Sequence, residues 1–194
     1  MASFGHAPLI LASASPRRQD LLAQIGIIPA RIAPSNIDET PLRDELPRLH
    51  ALRLAQQKAE ACSADGFVLA ADTVVGVGRR ILPKTEKRDE ADMCLRLMSG
   101  RAHQVITGIA VKAPDGRLSV RAVLSRVKLK RLTDREITVY LDSGEWSGKA
   151  GGYGIQGRAA AFVSHLSGSY TNVVGLPLYE TKLLLEGLGW RPVE

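Results

Sequence analysis

The residues Pro8-Leu9-Ile10-Leu11-Ala12-Ser13-Ala14-Ser15-Pro16-Arg17-Arg18 decide the fold. The apolar run 8–12 is too short for a helix and reads as a buried strand. Ser15 then reads as a helix N-cap and Pro16 as the first helical residue, because proline needs no amide partner there and its fixed φ suits the first turn. A strand that passes through a short polar turn straight into a helix is the opening unit of an α/β protein. A second short strand is expected around residues 27–32.

The same stretch carries a chemical signal. Arg17 and Arg18 fall in the first helical turn, where each positive charge opposes the helix dipole at a cost of about 0.3–1 kcal/mol. An anion bound there would reverse that penalty. Free backbone N–H groups, the hydroxyls of Ser13 and Ser15 and two guanidiniums together make a phosphate cradle. The segment also reads as an ordinary helix start with two solvated arginines, and by itself it does not decide between the two.

Outward from this unit, a loop at 33–45 rich in proline and acids is expected to be mobile. A helix over 47–63 follows, with Leu52, Ala55, Ala59 and Cys62 as its buried stripe. The run 67–71 reads as a strand closed by Asp72, followed by a hairpin near Gly76 to Gly78 that returns through Ile81 and Leu82. Ala91, Cys94, Leu95 and Met98 form the stripe of the next helix, which Ser99-Gly100 stop. Residues 104–112 and 118–129 alternate as two long antiparallel strands joined by Pro114-Asp115-Gly116. Thr133 and Glu136 form a capping box before a short helix with Ile137, Tyr140 and Leu141 on its face. A glycine-rich segment at 144–157, a strand at 159–164 and a helix at 178–188 complete the chain. With no repeat or low-complexity linker, residues 1–194 are expected to form one domain.

Composition narrows the function. No apolar stretch approaches the roughly 20 residues of a membrane span, and residues 1–6 lack a secretory signal pattern, so a cytoplasmic protein is expected. Cys62 and Cys94 sit on helical stripes without metal-ligand spacing, as buried reduced thiols would. A net charge of +6 would tolerate nucleic acid, but the 26 basic residues are spread among 20 acids. With no aromatic platform for bases, no stable nucleic-acid complex is expected, and a small polyanion suits the charge as well.

Further residues could carry chemistry. An acid at the end of a buried strand can hold Mg²⁺ or orient a water, or it can merely cap a turn, and Asp72 is open to both readings. Thr73 beside it could hydrogen-bond a substrate. Lys58, next to a helical stripe, and Lys84, in a loop after Pro83, could each reach a triphosphate. In Lys149-Ala150-Gly151-Gly152-Tyr153-Gly154-Ile155-Gln156-Gly157 the glycines allow close backbone approach. There the Gln156 carboxamide, both donor and acceptor, could pair with the O4 and N3–H edge of uracil or thymine. His6, His50, His103 and His165 show no partner in the sequence and read as non-catalytic.

Taken in order, Ser13-x-Ser15-Pro16-Arg17-Arg18, Asp38-Glu39, Lys58, Ala71-Asp72-Thr73-Val74-Val75, Ser99-Gly100-x-x-His103-x-Val105-x-Thr107-Gly108, the Lys149 to Gly157 segment and Gly168-Ser169-Tyr170-x-Asn172-Val173-Val174-Gly175-Leu176-Pro177 resemble the Maf family of nucleotide pyrophosphatases. The Lys149 segment is similar to the branch acting on dTTP and UTP rather than on 7-methyl-GTP. The resemblance implies an α/β fold: a mixed, twisted sheet flanked by helices, with two lobes around a cleft, akin to inosine triphosphate pyrophosphatases. It implies Asp72 as the catalytic acceptor and Ser13, Arg17, Arg18, Lys58 and Lys84 as phosphate ligands, with Lys149 beside them. It further implies Arg17, Thr73 and Gln156 as specificity positions, Glu39 and Asp72 as ligands of a divalent cation (Mg²⁺ or Mn²⁺), and a homodimer. Modified pyrimidine nucleotides such as 5-methyl-UTP are further substrate candidates. The sequence departs from the family pattern at Thr85, often proline, and at Glu145-Trp146-Ser147-Gly148. The rival reading is a nucleotide-sensing or nucleic-acid-binding regulator of cell division without significant catalysis.

Overall fold

A computed structural model describes residues 7–192. The opening unit folds as read, strand β1 (Leu9–Leu11) turning into helix α1 (Pro16–Gln24), whereas the strand expected around 27–32 is confined to its last two residues as β2 (Arg31–Ile32). Ser15 occupies the N-cap position, but its side chain makes no capping bond, so proline at N1 is the local device that starts α1. Helix α2 (Pro47–Ala61) leads to strand β3 (Phe67–Val77), which returns through strand β4 (Arg80–Leu82). Strand β5 (Lys84–Thr85) and helix α3 (Arg88–Met98) precede the long strands β6 (Ala102–Lys112) and β7 (Leu118–Leu129). Helix α4 (Asp134–Asp142) opens with the expected capping box, Glu136 N–H donating to Thr133 Oγ1 and the Glu136 carboxylate accepting from Thr133 N–H. Strand β8 (Lys149–Ala150), strand β9 (Val163–Ser167), and helices α5 (Tyr170–Val174) and α6 (Leu178–Gly187) follow.

The main sheet is mixed, in the order β2-β1-β3-β6-β7-β9, with β4 added on β3. β1 runs parallel to β2 and β3, and the remaining pairs are antiparallel. Strand β3 feeds cores on both of its faces. Phe67, Leu69 and Ala71 pack with Leu21 and Leu22 of α1 and Leu185 of α6, whereas Val75 packs with Leu95, Tyr140 and Tyr153. On the other face of β3, Val68 and Ala70 meet Ala55 and Ala59 of α2.

Three expectations need correction. Asp72 does not end its strand: β3 continues through it to Val77, because β6 pairs with it from Val68 to Gly76 and keeps the backbone extended. The buried stripe of α2 is Pro47, His50, Ala51, Leu54, Ala55, Lys58 and Ala59; Leu52 is half-buried, Lys58 lies on the stripe rather than beside it, and Cys62 is buried just past the helix end at Ala61. Residues 158–162 form a 3₁₀ turn, and strand β9 begins only at Val163, since small alanines fit a tight turn and the β-branched residue starts the extended stretch. His6 lies outside the described residues.

Candidate active site

Strands β1 and β4 share one edge of β3 but leave a gap. β1 reaches only the pair Leu11↔Leu69, extended by Ala12 N–H donating to Leu69 O at 2.8 Å, and β4 starts at the pair Val75↔Leu82. Asp72, Thr73 and Val74 lie in this gap, beyond the carboxyl end of β1, the position where open α/β sheets gather ligands. A cleft of about 750 Å³, the size of a small-molecule site, opens there. Ser13, Arg17, Arg18, Glu39, Lys58, Asp72, Thr73, Lys84, Lys149 and Gln156 all line it, so the residues singled out in the sequence meet in one place.

Side-chain alternation along β3 divides the site into two faces. Asp72 points to the α2 side, where Lys58 Nζ donates to its Oδ1 at 2.6 Å. The same ammonium lies 2.6 Å from Glu39 Oε1. Lys58 and Asp72 are nearly buried while Glu39 is about half exposed, so one cation from the helix ties a strand carboxylate to a loop carboxylate. Burial would raise the Glu39 carboxyl, but the hydrogen bond and charge of Lys58, with Lys84 and Arg18, outweigh it and hold the group below its ordinary range. Gly108 makes this approach possible. It sits directly opposite Asp72 in the β3–β6 register, and a Cβ on it would lie 2.1 Å from Ala51 O.

Thr73 points to the other face. Its Oγ1 lies 2.9 Å from Thr107 Oγ1, its cross-strand partner, and 3.4 Å from Arg18 Nη2. Arg18 also donates from Nη1 to Ser13 Oγ at 2.8 Å and from Nε to Gly175 O at 2.9 Å. Burial lowers its pKa first, and Asp72 partly restores it. Three anchors thus fix Arg18, whereas the Arg17 side chain, half-buried at the same helix start, makes no hydrogen bond or ion pair among the described residues.

The glycine-rich segment supplies the opposite wall. β8 pairs with β5 so that Lys84 faces Ala150 and Thr85 faces Lys149, which brings both lysines to the cleft. Gly151, at φ +67, packs where a Cβ would be 3.0 Å from the Val75 side chain. The two departures from the family pattern touch each other: fully buried Thr85 donates to the Trp146 carbonyl at 2.9 Å, and also to that of Lys149 at 3.2 Å. Burial lowers the Lys149 ammonium, helped by the charge of Arg17.

Two histidines have partners that sequence reasoning missed. His50 lines the cleft and lies 2.8 Å from Glu45, and buried His103 lies 2.7 Å from the Tyr153 hydroxyl. Proximity in sequence is a signal that could have found the first, since Glu45 lies just before α2, which carries His50 and Arg53, whereas nothing local announces the second.

An α/β fold whose cleft gathers cations around a carboxylate is the framework of an enzyme acting on a polyanion. The chain belongs to the Maf-like protein family, whose model matches residues 8–188. It is 66% identical over 188 residues to the dTTP/UTP pyrophosphatase of Hyphomonas neptunium, covering 96% of this chain and 98% of that one. It is 62% identical to the dTTP/UTP pyrophosphatase of Caulobacter vibrioides, covering 95% and 97%. In fold it is similar to a HAM1 protein from Coxiella burnetii, with a TM-score of 0.52 at 14% identity, covering 93% of this chain and 100% of that one. Among the described residues, no helix is long and apolar enough to cross a membrane.

Proposed function

We propose that this chain hydrolyses dTTP and UTP to the nucleoside monophosphate and pyrophosphate, the activity for which its relatives at 62–66% identity are named. The observation that carries the reading is the Lys58 ammonium held between Asp72 and Glu39 in a cleft also lined by Arg17, Arg18, Lys84 and Lys149. The four outer cations and the α1 N-terminus bind the triphosphate and set it in line for attack. Asp72 orients a water through its carboxylate and takes up its proton. The water oxygen bonds to the α-phosphorus, the α–β anhydride bond breaks, and pyrophosphate leaves with the electron pair. Gln156, exposed at the cleft, reads the uracil or thymine edge, and Thr73 contacts the substrate beside Asp72.

The carboxylates of Glu39 and Asp72 converge on one cationic point, and hard oxygen donors fit Mg²⁺ or Mn²⁺. Among the described residues, no group of three or more His, Cys, Asp or Glu is placed to hold a metal ion. When bound, such an ion neutralises charge that develops on the phosphates.

Pyrophosphate release from a panel of canonical and modified triphosphates, with Mg²⁺ or Mn²⁺ and with EDTA, tests the reading. Metal-dependent cleavage of dTTP and UTP is expected, and no release from any nucleotide would overturn it.

A further inference from the structure

The loop between β2 and α2 carries Glu39 to Lys58, yet residues 33–46 form neither helix nor strand. A side-chain cluster at the far end of the loop holds it. The Glu45 carboxylate, 7% exposed, accepts from Arg53 Nε at 2.7 Å and Arg53 Nη2 at 2.8 Å, meets His50 Nδ1 at 2.8 Å and accepts from Leu42 N–H at 3.0 Å. Arg53 Nη2 also donates to Thr40 O at 3.1 Å, and Asp38 accepts from Thr40 N–H at 2.9 Å. The loop is therefore tied to α2 at residues 50 and 53, about one to two turns before Lys58. Asp44, just before Glu45, is the one non-glycine residue with positive φ among the described residues, at 58°. Such a conformation persists where its surroundings hold it.

We propose that Glu45, Arg53 and His50 are positioning residues that fasten the 33–45 loop onto α2 so that Glu39 meets Lys58 beside Asp72. The kinetic consequence rests on the pyrophosphatase reading; the structural one does not. Glu45→Gln keeps the shape of the side chain but removes the charge that grips Arg53. Two measurements test the role. Trypsin cleavage after Arg43, whose side chain is 98% exposed, reads loop order without reference to activity. It is expected to run at least about tenfold faster in Glu45→Gln, with Arg53→Lys intermediate because an ammonium cannot make the two-pronged contact. A double-mutant cycle with Glu39→Gln reads the coupling. Each single variant is expected to raise the KM for UTP by about tenfold, and the double variant to be no worse than Glu39→Gln alone. Unaltered cleavage at Arg43, or losses that multiply, would overturn the proposal. If Glu39→Gln leaves the kinetics unchanged, the functional reading of Glu39 fails, and the proteolysis result alone decides the positioning claim. Should Glu45→Gln not fold, Arg53→Lys carries both measurements.

Discussion

Lys58 Nζ donates to Asp72 Oδ1 at 2.6 Å, with about one-tenth of either side chain exposed to solvent. A cation from a helix stripe therefore compensates a carboxylate in the middle of a buried strand. Removing it leaves Asp72 without its nearest partner, and Lys58→Met is expected to destabilise the fold by about 3 kcal/mol, the low end for a broken buried pair because Arg18 remains nearby. Urea denaturation measures this, and an unchanged midpoint would show that the pair contributes little to the fold.

The adjacent arginines of α1 should behave differently. Arg18 is anchored by Ser13, Thr73 and Gly175, so Arg18→Lys should lower both stability and turnover. Arg17 has no such anchors, and Arg17→Ala should leave stability within about 0.5 kcal/mol while raising the KM for UTP about tenfold or more. Steady-state kinetics beside thermal melts separate the two patterns.

Gly108→Ala should be among the more damaging single substitutions in the sheet. The added carbon would meet the Ala51 carbonyl at 2.1 Å, and backbone cannot yield as a side-chain tip can. Displacing α2 would carry Lys58 away from Asp72, so a cost of about 3 kcal/mol in urea and a loss of turnover are expected together. A stable, fully active variant would contradict the close approach of α2.

Acid should weaken the fold through His103. Burial lowers its pKa from 6.5 to about 4. Between those values the unfolded chain binds a proton that the folded chain refuses, so this group's contribution falls as pH drops through that window. The expected loss by pH 4 is on the order of 3 kcal/mol. Urea midpoints from pH 7 to 4 for wild type and His103→Gln check this, with a flatter dependence expected for the variant.

How far the sequence disclosed this site depends on whether an interaction is local. The β1 to α1 turn, the Thr133 and Glu136 capping box and the hairpin at Pro114-Asp115-Gly116 rest on neighbouring residues, and all three were legible. The position of Asp72 was half legible, because the apolar run pointed to it but the continuation of β3 depends on pairing with β6. The Gly175 carbonyl that anchors Arg18 is 157 residues away in sequence, and no local pattern announces it. The ten cleft residues were reached through linked motifs and the family resemblance rather than through spacing alone.

Hydrolysis of UTP in ¹⁸O-labelled water, by wild type and by Asp72→Asn, tests the central claim most directly. The account predicts label in the monophosphate and none in pyrophosphate, with turnover reduced at least about a hundredfold in the variant. Label in pyrophosphate would place the attack on the β-phosphorus, and undiminished turnover by Asp72→Asn would remove that carboxylate from the mechanism.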